Sequence, residues 1–197
     1  AGTYNFYAGA VNGGCPSASR LLVTVTVKQR PVPTANSNAP VCAGFSLSLS
    51  SNNIASGQTS GHTYSWTGPS FSSSQQNPTV TSSASPAQNG TYNVTITNQF
   101  LCTASASTGV VVNPNPGVAI TSQTNITCNG DANGAVIVTG SGGTAPYLFT
   151  DGNTFVFGAT GTFSGYSPGT YCFTVSDNNG CDNSLSAPVC ATITQPA

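Results

Sequence analysis

The sequence predicts an all-β protein: a tandem series of β-sandwich domains joined by short Pro-rich linkers. Three observations carry this. Val, Thr, Tyr and Phe are plentiful, whereas 22 Gly, 13 Pro, no Met and no Glu leave any stretch short of good helix formers. A hairpin signature recurs three times, at Gly2-Thr3-Tyr4, Gly90-Thr91-Tyr92 and Gly169-Thr170-Tyr171, each followed by alternating apolar and polar residues and then a cysteine. The copies lie 88 and 79 residues apart, which is the size of a sandwich domain and not of a solenoid repeat.

The elements follow in order. Residues 1–30 hold the first copy, with Tyr4 preceding Cys15 and a second strand over Leu22 to Val27. No front half precedes it, so it reads as the C-terminal hairpin of a truncated domain. Pro31-Val32-Pro33 then marks a joint, because proline stiffens a linker and cannot extend a central strand. Residues 31–115 read as one complete sandwich. Phe45-Ser46-Leu47-Ser48-Leu49 and Tyr92-Asn93-Val94-Thr95-Ile96 alternate with the period of a half-buried strand, and Val110 to Val112 closes the hairpin. Asn113-Pro114-Asn115-Pro116 marks the second joint. Residues 116–197 form a third domain, with strands at Ala135 to Val138, Tyr171 to Val175 and Val189 to Ile193. Turn signals lie at Asn133-Gly134, Asp151-Gly152 and Asn179-Gly180.

Seven cysteines in so uncharged a chain point to an oxidising compartment. Cys42 lies near the front of its domain and Cys102 near the back, and Cys128 and Cys181 hold the same places in the next, so the expected bonds are Cys42–Cys102 and Cys128–Cys181. Cys172 faces away from Tyr171, Phe173 and Val175. Cys190 faces away from Val189, Ala191 and Ile193. Two outward cysteines on neighbouring antiparallel strands predict a cross-strand bond. Cys15 is left over, and its partner is expected upstream. A thiolate metal site is the competing reading, but there is no CxxC spacing and the only His lies in another domain.

Only 4% of residues are charged and the net charge is −1, which gives no electrostatic pull toward nucleic acid or anionic lipid. General acid–base chemistry would have to draw on His62, Lys28, the cysteines and Asp131, Asp151, Asp177 and Asp182, so no enzyme is expected. No apolar run approaches a membrane span. The chain starts with Ala1 and reads as an internal or processed piece of a longer secreted protein.

Individual residues have bland readings beside the sharp ones. Trp66 could stack a sugar but fits a core position packed on an inter-sheet disulfide, with Tyr92 and Tyr171 as further core. His62, between Gly61 and Thr63, reads as a loop residue. Asp131-Ala132-Asn133-Gly134 and Asp177-Asn178-Asn179-Gly180 resemble pieces of calcium loops, yet each has one carboxylate and no bidentate Glu, so no metal is assigned. Gly140-Ser141-Gly142-Gly143 lacks the Lys of a phosphate cradle and reads as a turn. Asn89, Asn93 and Asn125 stand in Asn-x-Ser/Thr sequons, whose use depends on the host. The complete domains contain no lysine for an intramolecular Lys–Asn bond.

Residues 116–197 resemble the SprB-type repeat of Bacteroidetes surface adhesins. The elements that carry the likeness are Ile126-Thr127-Cys128-Asn129-Gly130, Gly134-Ala135-Val136, Gly142-Gly143-Thr144-Ala145-Pro146-Tyr147, Pro168-Gly169-Thr170-Tyr171 leading into Asp177-Asn178-Asn179-Gly180-Cys181, and Ile193-Thr194-Gln195-Pro196. The extra pair Cys172 and Cys190 departs from the usual repeat. Residues 31–115 look like the Ig-like or PKD-like modules that accompany such repeats, through Val41-Cys42-Ala43-Gly44, Tyr64-Ser65-Trp66-Thr67-Gly68-Pro69 and Gly90-Thr91-Tyr92. Residues 1–30 look like the tail of another.

The resemblance implies a long extracellular or cell-surface protein, often exported by the type IX pathway and acting in adhesion, gliding or matrix building. This segment would be a stalk or filament piece without cofactors, its partners being neighbouring domains of the same chain or further copies. The alternative is a glycan- or protein-binding module using loops at one end of a sandwich.

Overall fold

A computed structural model describes residues 1–53 and 61–196. Its strands, in chain order, are β1 (Gly2–Ala8), β2 (Val11–Asn12), β3 (Cys15–Pro16), β4 (Leu21–Val27), β5 (Pro33–Ser37), β6 (Val41–Cys42), β7 (Leu47–Asn53), β8 (Thr63–Gly68), β9 (Phe71–Ser73) and β10 (Thr79–Thr81). They continue with β11 (Gly90–Thr97), β12 (Thr103–Val110), β13 (Val112–Asn113), β14 (Pro116–Thr124), β15 (Gly134–Gly142), β16 (Tyr147–Thr150), β17 (Phe155–Gly158), β18 (Thr160–Tyr166), β19 (Gly169–Ser176) and β20 (Val189–Ile193). Among the described residues the single helical turn is Pro86–Gln88. The protein is all-β.

By compactness the chain divides into two units. One comprises Ala1–Ser37, Leu49–Pro78 and Thr91–Thr108; the other comprises Asn38–Ser48, Thr79–Gly90 and Gly109–Ala197. Residues 31–115 contribute to both, so this division cuts the chain differently from the joints at residues 31 and 115.

In the first unit β1 and β4 form a long antiparallel hairpin, paired from Gly2↔Val27 to Ala8↔Leu21. Its apolar side chains are open to solvent: Phe6 is 56% exposed and Leu21 72%. Two strands cannot bury their own faces. Elsewhere in this unit burial follows the strand period. Tyr92, Val94 and Ile96 on β11 are buried together with Trp66 of β8 and Leu49 of β7, and Val94 pairs directly with Trp66. The Trp66 indole N–H donates to the Gln76 carbonyl at 3.2 Å, which satisfies the one polar atom a buried Trp carries. Gly68 is required by packing, since a Cβ there would fall 2.2 Å from Cδ1 of Tyr92.

The second unit contains a two-sheet sandwich. One sheet has the order β14-β15-β18 and the other β17-β16-β19-β20. Val136, Val138 and Phe163 from the first sheet pack with Phe149, Phe173, Val175, Ala191 and Ile193 from the second. The rings of Phe163 and Phe173 meet across the sheets at 5.0 Å. Tyr171 is half-buried at the edge of this core, stacked on Tyr166 at 3.8 Å. In the same unit β6 runs parallel to β13, with Val41↔Val112 and Cys42↔Asn113. Asn115 holds this corner by donating to the Ala43 carbonyl at 3.0 Å.

Candidate functional site

The feature that joins parts far apart in sequence is a disulfide between Cys42 and Cys181, 139 residues apart, with Cα atoms 5.6 Å from each other. Cys42 is the second residue of the short strand β6. Cys181 is presented by the turn after β19, and that turn is built on Asp177. One Asp177 carboxylate oxygen accepts the N–H groups of Asn179 and Cys181, each at 2.9 Å; the other accepts the Thr144 N–H at 2.8 Å. The Asp177 N–H donates to the Cys181 carbonyl at 2.8 Å, and Gly180, at a φ of 76°, turns the chain. Asn183 continues the brace, its side-chain oxygen accepting the Val175 N–H at 2.9 Å. An open cavity of about 470 Å³ flanks the bond, lined by Val41, Phe45, Ser46, Gly180 and Asp182 among others.

This bond corrects two expectations. Cys42 is not bonded to Cys102, nor Cys128 to Cys181; Cys15, Cys102 and Cys128 are thiols. The expectation placed each front and back cysteine on facing strands of one sandwich. Cys42 instead sits in a two-residue parallel strand, with the core positions of the following strand taken by Leu47 and Leu49. Cys102 lies past the end of β11, in the turn before β12, and Cys128 lies in an exposed turn closed by the Asp131 N–H on the Cys128 carbonyl. Trp66 is accordingly buried without an inter-sheet disulfide. Cys172 and Cys190 are directly opposed in the β19–β20 ladder and bonded, with Cα atoms 4.0 Å apart.

The sequence marks a turn at Asn179-Gly180, but the anchoring of Cys181 by Asp177 and its repetition at Asn98 are not foreseen, although they leave a signal. Asn98 stands four residues before Cys102 as Asp177 stands four before Cys181, and the hydrogen bonds are the same. Asn98 Oδ1 accepts the Cys102 N–H at 3.0 Å, the Asn98 N–H donates to the Cys102 carbonyl at 3.0 Å, and Leu101 takes the positive φ, 62°.

The other candidates are dispersed. His62 is half-buried and Asp131 exposed. The oxygens of Asp177 are spent on backbone N–H groups and not gathered for a cation. Asp151 accepts the Tyr166 hydroxyl at 2.6 Å and the N–H groups of Asn153 and Thr154. Burial would raise its carboxyl, but these hydrogen bonds outweigh that and hold it below its ordinary value. Burial first, then the Asp151 contact, pushes the Tyr166 hydroxyl up. Among the described residues no three His, Cys, Asp or Glu side chains converge as metal ligands, and no helix is long and apolar enough to cross a membrane.

Comparison with known families places part of the chain. Residues 120–154 match the SprB repeat. The match takes in Cys128, Gly134-Ala135-Val136 and the Gly142 to Tyr147 turn; the Gly169-Thr170-Tyr171 hairpin and Cys181 lie beyond it. Among solved structures the chain is similar to the insect immune protein hemolin, at 12% identity and a TM-score of 0.47 over 98% of this chain and 56% of that one. It is also similar to the titin I-band fragment I67-I69, at 11% identity and a TM-score of 0.47 over 85% of this chain and 66% of that one. Murine CEACAM1b is similar at 10% identity and a TM-score of 0.42, over 84% of this chain and 100% of that one. The chain therefore spans about half of the hemolin length and two thirds of the titin fragment. No curated protein matches the sequence.

Proposed function

We propose that this chain is a non-catalytic structural segment of a large extracellular or cell-surface adhesin, a stalk or filament piece made of three sequence modules, 1–30, 31–115 and 116–197. One observation carries the reading: the Cys42–Cys181 bond ties the front of one module to the hairpin turn of the next. A covalent clamp of that kind resists separation of consecutive modules, which is what a load-bearing segment needs. The SprB repeat match at residues 120–154 supports a surface adhesin as the parent, with type IX export as the route. The low charge supports partners that are domains of the same chain or further copies of it, and not nucleic acid or membrane.

A second reading has its own observation. An open cavity of about 300 Å³ against β16, β17 and β19 is lined by Phe155, Leu148, Thr150, Thr174, Asp182 and Ser184, an apolar ring beside hydroxyls and one carboxylate. That combination suits a sugar. Surface labelling of intact cells with an antibody to this chain, together with a glycan array probed with the chain, separates the two. The structural reading expects surface label and no selective glycan binding. Selective binding at micromolar affinity that is lost in Phe155→Ala would overturn it in favour of the module as a lectin.

A further inference from the structure

The three thiols are not scattered. The recurring hairpin places a cysteine between its two long strands each time: Cys15, Cys102 and Cys181. The module fronts supply Cys42 and Cys128. Of these five, only a front cysteine and the turn cysteine of the following module are bonded, Cys42 with Cys181. Cys102 is offered by the same turn as Cys181: an Asx side chain accepts the cysteine N–H, the Asx N–H returns to the cysteine carbonyl, and a residue at positive φ intervenes.

The Cys102 turn also sits where such a bond would need it. Aligning Pro31-Val32-Pro33 on Pro114-Asn115-Pro116 makes Arg30 the counterpart of Asn113, the residue paired opposite Cys42. Arg30 donates from Nε and Nη2 to the carbonyl of Thr103, the neighbour of Cys102, at 3.1 and 2.8 Å. Asn98 donates to the Gln29 carbonyl at 2.9 Å, and the Lys28 ammonium lies 4.4 Å from the Phe100 ring centroid. A front cysteine paired opposite Arg30 would arrive beside the Cys102 sulfur.

We propose that the modules are closed by a staggered disulfide ladder, in which the front cysteine of each module bonds the turn cysteine of the next. Cys42–Cys181 is one rung. Cys102 bonds the front cysteine of the module that ends with residues 1–30, Cys128 bonds the turn cysteine of a module that follows, and Cys15 belongs to the rung before. Each rung forms when two thiols give up two protons and two electrons to a disulfide oxidant. One S–S bond is made, and the oxidant's S–S bond is split into two thiols. The ladder rests on the tandem structural reading above.

Two linkage maps test it. The chain of residues 1–197, refolded with reduced and oxidised glutathione and blocked with iodoacetamide, should yield Cys42–Cys181 and Cys172–Cys190 with Cys15, Cys102 and Cys128 alkylated. Finding Cys42–Cys102 or Cys128–Cys181 instead overturns the ladder. In protein isolated from the cells that make it and blocked before lysis, alkylation of those three should fall from near complete to under a tenth. Each should appear linked to a cysteine peptide outside this sequence. Free Cys102 or Cys128 in that material, beside an intact Cys42–Cys181 bond, sinks the ladder and leaves the single clamped joint standing. Absence of the Cys42–Cys181 bond from both maps sinks the ladder and the structural reading together.

Discussion

Trp66 shows how much one side chain can carry in a small sandwich. It is fully buried, and its indole N–H is satisfied by a backbone carbonyl, so Trp66→Ala removes a large apolar volume and leaves a cavity. The expected loss is about 3–5 kcal/mol, read from the urea midpoint, against less than about 1 kcal/mol for an exposed platform. Asp151 makes a different prediction. Its folded-state pKa is held below the ordinary carboxylate value, so its contribution to stability is complete above the unfolded pKa, about 4, and is lost as pH falls through the folded value. Acidification from about pH 5 to pH 3 should therefore lower the Tm of the native chain more than that of Asp151→Asn. An equal drop in both would show that the Tyr166 contact contributes nothing. Trp66 and Tyr92 were legible as core because each starts or shares an alternating run; Tyr171 was only half so. It lies at the edge of the core and stacks on Tyr166, a partner no periodicity announces.

Strand parity is a reliable guide where strands are long and regular. Cys172 and Cys190 fall on the outer face of an antiparallel pair, and period two alone put them opposite each other. That bond closes a loop of 18 residues, so replacing both cysteines with Ser should cost about 3 kcal/mol in the chain-entropy model, measured by urea titration. Parity was silent for Cys42, Cys102 and Cys128. One lies in a two-residue parallel strand and the other two in turns, where facing is set by hydrogen bonds such as those of Asn98 and Asp177 and not by alternation. The β1–β4 hairpin makes the opposite point: its pattern is regular, yet both faces are open. Its amides should exchange faster than those of the buried strand β15 by on the order of a hundredfold in the isolated chain. Equal protection would mean that something covers the hairpin.

At the scale of the whole chain, the Cys42–Cys181 bond decides how force is carried. Tension applied between Ala1 and Ala197 runs along residues 1–42, crosses the sulfur bridge and leaves through residues 181–197. The intervening loop as far as Cys172 carries none of it and adds no contour length, even if every strand inside it unfolds. The two cysteines are 139 residues apart, and an extended residue spans about 3.3–3.6 Å, so roughly 450–500 Å of chain is held back while the bond is intact. Cys172–Cys190 straddles Cys181, so it offers a second route beside residues 181–190 and is not shielded by the outer bond. Force–extension traces of the oxidised chain should therefore end short by that length, and adding a reductant should restore it. Cys42→Ser should lengthen the trace without reductant to within about 60 Å of the reduced one, since it removes one end of the bridge while the 18 residues between Cys172 and Cys190 stay held back. Identical contour lengths for oxidised chain, reduced chain and Cys42→Ser would mean that the bridge does not bear load, and a stalk locked joint by joint would lose its physical basis.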